Sequence, residues 1–155
     1  MDDDPCDPDY RALLDFRYAI RSFLRFSEES ARAAGIEPQQ HQLMLAIKAG
    51  GTEGEARIGD LAERLQLRHH STVELIDRLV AKGFAERQRA ETDRRQVHVR
   101  LTKAGQQVLR QLSERHSEQL RCDGPELLRV LQEITKAESN KGERQAATQS
   151  PVGAR

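Results

Sequence analysis

The stretch that decides the fold is Ile58 to Thr102, IGDLAERLQLRHHSTVELIDRLVAKGFAERQRAETDRRQVHVRLT. Within it Leu61, Ala62 and Leu65 make one face of a short helix over Asp60 to Leu65, with Gly59 as a tolerable N-cap. A brief turn at Gln66 to Arg68 leads into a second helix, His69 to Lys82, which Gly83 ends. Its apolar residues Val73, Ile76, Leu79 and Val80 recur at helical spacing and place Ser71, Thr72, Glu74, Asp77, Arg78 and Ala81 mostly on other faces. The period then changes to two. Val97, Val99 and Leu101 alternate with Gln96, His98 and Arg100, as in a half-buried strand, and Phe84 to Arg89 is its expected antiparallel partner. Ala90 to Arg95 is the hairpin tip between them.

Helix, short turn, helix and basic hairpin make a winged helix-turn-helix. The chemistry of such a unit follows from its shape: the major groove admits one helix, and the preceding helix braces it against the backbone. Arg89, Arg94 and Arg95 on the hairpin are placed to meet phosphates or the adjacent minor groove. Arg68, His69, His70, Ser71 and Thr72 at the start of the second helix, with Glu74 and Arg78 further along it, complete the set of candidate DNA contacts. Glu74 can accept from a cytosine amine or simply solvate the helix.

Outside this stretch the chain reads as helix. Asp2, Asp3, Asp4, Asp7 and Asp9 with Pro5 and Pro8 make residues 1–9 an acidic flexible arm. A long helix is expected over 10–34, because no Gly or Pro interrupts it before Gly35. Its apolar residues, from Tyr10 to Phe26, cover more than one stripe, which calls for burial on several sides. Pro38 suits the first turn of the next helix, Pro38 to Ala49, and glycines 50, 51 and 54 mark a loop. Thr102 is the expected N-cap of a helix running to about Leu120, Gly124 and Pro125 break it, and a last helix covers Glu126 to about Ala137. The expected fold is thus mainly α with a small β-wing. One domain spans 10–138, with a reading head at about 38–101, dimerisation helices at 10–34 and 103–138, and a disordered tail over 139–155.

Composition supports a shared core. With 37% hydrophobic residues, 32% charged residues and no Trp among 155, one subunit has little to bury, so a homodimer joined through the terminal helices is expected. The net charge is zero, but it is unevenly spread: Arg68 to Arg100 holds eight basic against five acidic residues. No apolar run suits a membrane span and the acidic start is unlike a secretion signal, so a cytoplasmic location is expected. No cofactor and no metal is expected, since His69 and His70 are adjacent rather than four apart and neither a phosphate loop nor a nucleophile elbow occurs. The chain reads as a binding protein, not an enzyme. Two other readings stay open: a redox-sensing regulator using Cys6 and Cys122, against which the aspartates around Cys6 raise its thiol pKa, and a winged helix serving only protein interaction.

The same stretch resembles the multiple-antibiotic-resistance regulator (MarR) family. The matching pieces are LAERL at Leu61 to Leu65, DRL at Asp77 to Leu79, KGF at Lys82 to Phe84, Asp93 with Arg95, and Val99 to Thr102 followed by Gly105. The resemblance implies a dimer with intertwined terminal helices, one winged helix per half of a palindromic operator, and repression relieved by a small molecule, often a phenolic or aromatic acid. It assigns Ser71 and Thr72 to the start of the recognition helix, Asp93 to bracing the wing and Arg95 to the minor groove. Where the family frequently has a Thr-Arg pair, this chain has Val73 and Glu74, and no effector residues are assigned.

Overall fold

The computed structural model describes residues 9–50, 55–89 and 97–148. Two compact units emerge, one of Phe26–Ser117 and one built from the two ends of the chain, Met1–Arg25 with Glu118–Arg155.

The central unit begins in the last turns of α1 (Tyr10–Ala33), which stops where Gly35 takes a positive φ of 77° and Ile36 N–H returns to Ala31 O. Helix α2 (Pro38–Ala49) starts on a capping box in which Gln40 Oε1 accepts from Glu37 N–H at 3.0 Å, with Pro38 in the first turn. Gln40, His41, Leu43, Met44, Ala46 and Ile47 of α2 are all buried, so it is the central helix of this unit. Strand β1 (Glu55–Arg57) leads directly into α3 (Ile58–Leu65). That strand was not expected from the sequence, and it moves the start of α3 from Asp60 to Ile58. The extended backbone of Arg57, φ −78° and ψ 145°, serves as the N-cap in place of Gly59.

The α3–α4 turn depends on Gln66, which adopts φ 53° so that Leu67 N–H can close on Ala62 O. Helix α4 runs His69–Ala81, one residue shorter than expected. Lys82 is its C-cap, and Gly83 at φ 75° lets Phe84 N–H reach Leu79 O. Strands β2 (Ala85–Arg89) and β3 (Val97–Leu101) pair antiparallel, Arg87 opposite Val99, and β1 adds to the other edge of β3, giving the order β1-β3-β2. Thr102 then caps α5 (Lys103–Thr148) as expected: its Oγ accepts from Gly105 N–H and donates to Gly83 O. Gly105 is held to glycine by crowding, since an added Cβ would lie 2.0 Å from Phe84 O. Ile36, Leu43, Ile47, Leu61, Ile76, Leu79, Val99 and Leu112 lead one continuous core.

The terminal unit contains the first part of α1, capped by Asp9 Oδ1 accepting from Ala12 N–H at 2.9 Å, and the later part of α5. Here the sequence expectation is corrected. Helix α5 does not break at Gly124-Pro125, and it continues to Thr148, across ten residues assigned to a disordered tail. Proline forfeits one backbone bond and crowds the residue before it, but that residue is Gly124, which has no Cβ to clash. Arg129 also bridges Glu126 and Glu133 at helical spacings across the following turns. Ala12 and Val130 are buried, whereas Leu14, Tyr18 and Leu128 are 66%, 74% and 61% exposed.

Candidate nucleic-acid interface

Helix α4 presents two contrasting faces. Thr72, Leu75, Ile76 and Leu79 turn into the core, while His70, Glu74, Asp77 and Arg78 face solvent. Arg68, His69 and His70 are exposed and Ser71 half-buried, so the start of α4 carries a cluster of potential donors beside the helix N-terminus. Arg78 lies two turns along the exposed face, its Nε donating to Glu74 O at 3.4 Å. Arg68, His69 and His70 are thus accessible around the start of α4, and Arg78 on its exposed face.

Thr72 is a correction. Its side chain is fully buried, and Oγ1 donates to Arg68 O at 3.1 Å inside the first turn. A hydroxyl so enclosed cannot reach a phosphate or a base edge. The apolar pattern misplaced it because Leu75, not Val73, belongs to the buried stripe; Val73 and Val80 are only half-covered. With positions 72, 75, 76 and 79 as the seam, Thr72 falls inside.

Of the wing, the strands are described and the tip is not. Arg89 is exposed at the end of β2. Asp93, Arg94 and Arg95 lie outside the described residues. The structure adds a residue that the sequence reading did not select. Arg87, in β2, forms an ion pair with Asp77 of α4 and directs Nη2 toward Val73 O at 3.5 Å. The wing strand is thereby tied to the outward edge of the helix. Finding it from sequence requires knowing how β2 packs on α4, and no local pattern supplies that.

The remaining chemistry is sparse. Among the described residues no cluster of three His, Cys, Asp or Glu is arranged to hold a metal ion, and no helix is long and apolar enough to cross a membrane. Cys122 is exposed and unbridged, while Cys6 lies outside the described residues. A cleft of about 220 Å³ lies between α2, α3 and α4 over Leu65, Leu67 and Leu75, with Arg64 and Gln66 at its edge. That is below the size usual for a drug-sized ligand, roughly 300–1,000 Å³.

Comparison with known proteins agrees with this geometry. Residues 34–96 match the model of the MarR family. A stretch of 78 residues is 36% identical to an uncharacterized HTH-type transcriptional regulator, YfiV, of Bacillus subtilis (strain 168). It covers 50% of this chain and 46% of that protein, so the match spans about half the relative's length. Among solved structures, AbsC, a MarR family transcriptional regulator from Streptomyces coelicolor, gives a TM-score of 0.64 at 20% identity, covering 84% of this chain and 88% of its own. A mutant of MepR from S. aureus bound to an oligodeoxyribonucleotide gives 0.62 at 19% identity, covering 92% and 100%. At such identities the structural likeness establishes the fold, a winged helix.

Proposed function

We propose, from the match of residues 34–96 to the MarR family model, that the chain is a homodimeric, sequence-specific DNA-binding regulator of that family, most simply a repressor. The observation that carries the reading is the accessible start of α4, with Arg68, His69 and His70 exposed and Ser71 half-buried. Arg78 is exposed further along a helix whose Thr72, Leu75, Ile76 and Leu79 are packed in the core. A helix so supported can enter a major groove as a rigid body. The Arg87–Asp77 ion pair ties the wing strand to α4 and Arg89 at its end is exposed, while family resemblance assigns Arg95 to the minor groove. MepR, which shares the fold, has been captured on an oligodeoxyribonucleotide.

The dimer is supported by the terminal unit, where Tyr10, Leu13, Leu14, Tyr18, Leu24 and Leu128 stand exposed in the single chain. Such a density of large apolar side chains marks an interface. Two reading heads related by a two-fold axis fit a palindrome with half-site centres about one helical turn apart. A small aromatic or phenolic acid is the effector class implied by the family, releasing the repressor from its operator.

The test is footprinting on the DNA upstream of the protein's own gene, together with gel shifts at two salt concentrations. Two-fold symmetric protection, weakened by salt, is expected. Binding that neither has symmetry nor responds to salt would remove the proposal and favour a protein-docking winged helix.

A further inference from the structure

His41 has an unusual position for an imidazole. It lies on α2 at the heart of the central unit, 2% exposed, and neither ring nitrogen has a hydrogen-bond partner among the described residues. Its ring stacks at a tilt against His116 of α5, centroids 4.8 Å apart. His116 is anchored: Nδ1 lies 2.5 Å from Leu112 O, and Nε2 lies 2.8 Å from Ser27 Oγ of α1. A carbonyl can only accept, so Nδ1 carries a proton, and the Ser27 hydroxyl can donate to Nε2 when the ring is neutral. Phe26 of α1 meets the same ring edge-on, centroids 5.6 Å apart.

The His41 ring thus meets an imidazole from α5 that is itself held by a hydroxyl and a phenyl ring of α1. His116 is the ionisable group whose field acts on His41, and a positive charge there opposes a second one. Burial opposes it more, and the two together lower the His41 pKa to about 4. Among the described residues neither nitrogen has an acceptor with which to share an added proton in the packed state, so leaving the core relieves a protonated ring.

Helix α2 packs on α3, α4, β1 and β3, so what moves α2 disturbs the support of the recognition helix. We propose that the His41–His116 contact is an acid-operated latch: proton uptake by His41 frees α2 from α1 and α5 and so weakens the DNA-binding surface that α2 supports. The DNA part rests on the function proposed above; the latch itself does not.

The size of the effect follows from linkage. In an opened state His41 regains its ordinary value of 6.5. Between pH 7.5 and pH 5 the ratio of opened to closed forms then rises about thirtyfold. The test uses the full-length protein in two arms. In the first, hydrogen exchange of α2 amides is followed with pH, each rate taken relative to the intrinsic one. Protection in α2 is expected to fall about thirtyfold and to lie below that of the Val99 and Leu101 amides at every pH, since those open only with the whole unit. In His41→Phe, which keeps an aromatic ring and removes the titration, α2 protection should be flat. Unchanged α2 protection in the wild type, or α2 protection equal to that of Val99 and Leu101 at every pH, would overturn the latch, the second because α2 would then open only by global unfolding. Both readings come from the wild type, so they stand even if the variant does not fold.

In the second arm, affinity for upstream duplex is measured over the same range as the ratio of variant to wild type, which cancels pH effects common to both proteins. The ratio should rise in favour of His41→Phe as pH falls. A constant ratio beside acid-opened α2 would overturn the coupling to DNA. If the protein binds no duplex at any pH, the DNA reading fails while the exchange result still decides the latch.

Discussion

The two units of this chain treat their apolar residues in opposite ways. Among the described residues, every buried apolar side chain except Ala12 and Val130 belongs to the central unit. Every exposed large one except Leu45 belongs to the terminal unit. The central unit is a finished core with a polar ridge; the terminal unit has two long helices and almost nothing enclosed. A substitution in the first should therefore change folding, and one in the second should change association. That division explains how a chain with so few hydrophobic residues can still pack α4 against an enclosed core.

The largest effect is expected where association fails. Leu14→Asp combined with Tyr18→Asp puts charge on the exposed apolar face of α1. In sedimentation the protein should become monomeric, with operator affinity reduced about a thousandfold, or roughly 4 kcal/mol, and the central unit still folded by circular dichroism. A dimer that survives both changes would show that this face is not the interface.

Within the central unit, neighbouring positions on α4 should behave differently. Thr72→Asp buries a charge where the native side chain is fully enclosed, and should cost about 3–5 kcal/mol in chemical denaturation. Ser71→Asp, half-buried at the head of the helix, should leave stability nearly unchanged yet abolish DNA binding by repelling phosphate. Equal stability losses would mean that the two faces of α4 have been misassigned.

The central unit also sets the pH dependence of stability. His41 binds its proton less readily folded, with a pKa of about 4, than unfolded, at 6.5. The unfolded chain thus takes up the extra proton. The contribution is fully present above about pH 6.5, declines as pH falls and levels off below about pH 4, for a loss of up to about 3 kcal/mol. Denaturation midpoints across this range should show the slope in the wild type and lose it in His41→Phe.

A smaller effect is expected at the wing. Arg95→Ala should weaken operator binding by roughly 1–3 kcal/mol. If the guanidinium also neutralises a phosphate, the slope of log affinity against log salt should shrink by about 0.9 for each wing. Titrations of the two proteins at several salt concentrations check both, and identical curves would take the wing out of the interface.

The sequence made most of this fold legible because its signals are local. Pro38, Gly35, Gly83 and Thr102 punctuate the chain where the helices start and stop, and the alternation from Val97 to Leu101 marks the strand. What escaped was non-local or too short. Strand β1 has three residues and exists only because β3 offers an edge, Ala56 opposite Val99. Pro125 reads locally as a break, but Gly124 and the Arg129 ion pairs let α5 continue through it. In the candidate site, the exposed ridge of α4 was readable, but the inward turn of Thr72 depended on whether Val73 or Leu75 joined the seam, a rotation that tertiary packing decides. Arg87 and His41 owe their roles entirely to partners distant in sequence, Asp77 on another element and His116 seventy-five positions away.

The most direct test of the division between a reading unit and an associating unit is to count chains on DNA. Sedimentation of the full-length protein with a duplex carrying its own upstream sequence should give two chains per operator. Methylation protection in the same complex should appear in two major-groove segments about one helical turn apart. One chain per duplex, or protection of a single segment, would contradict the account.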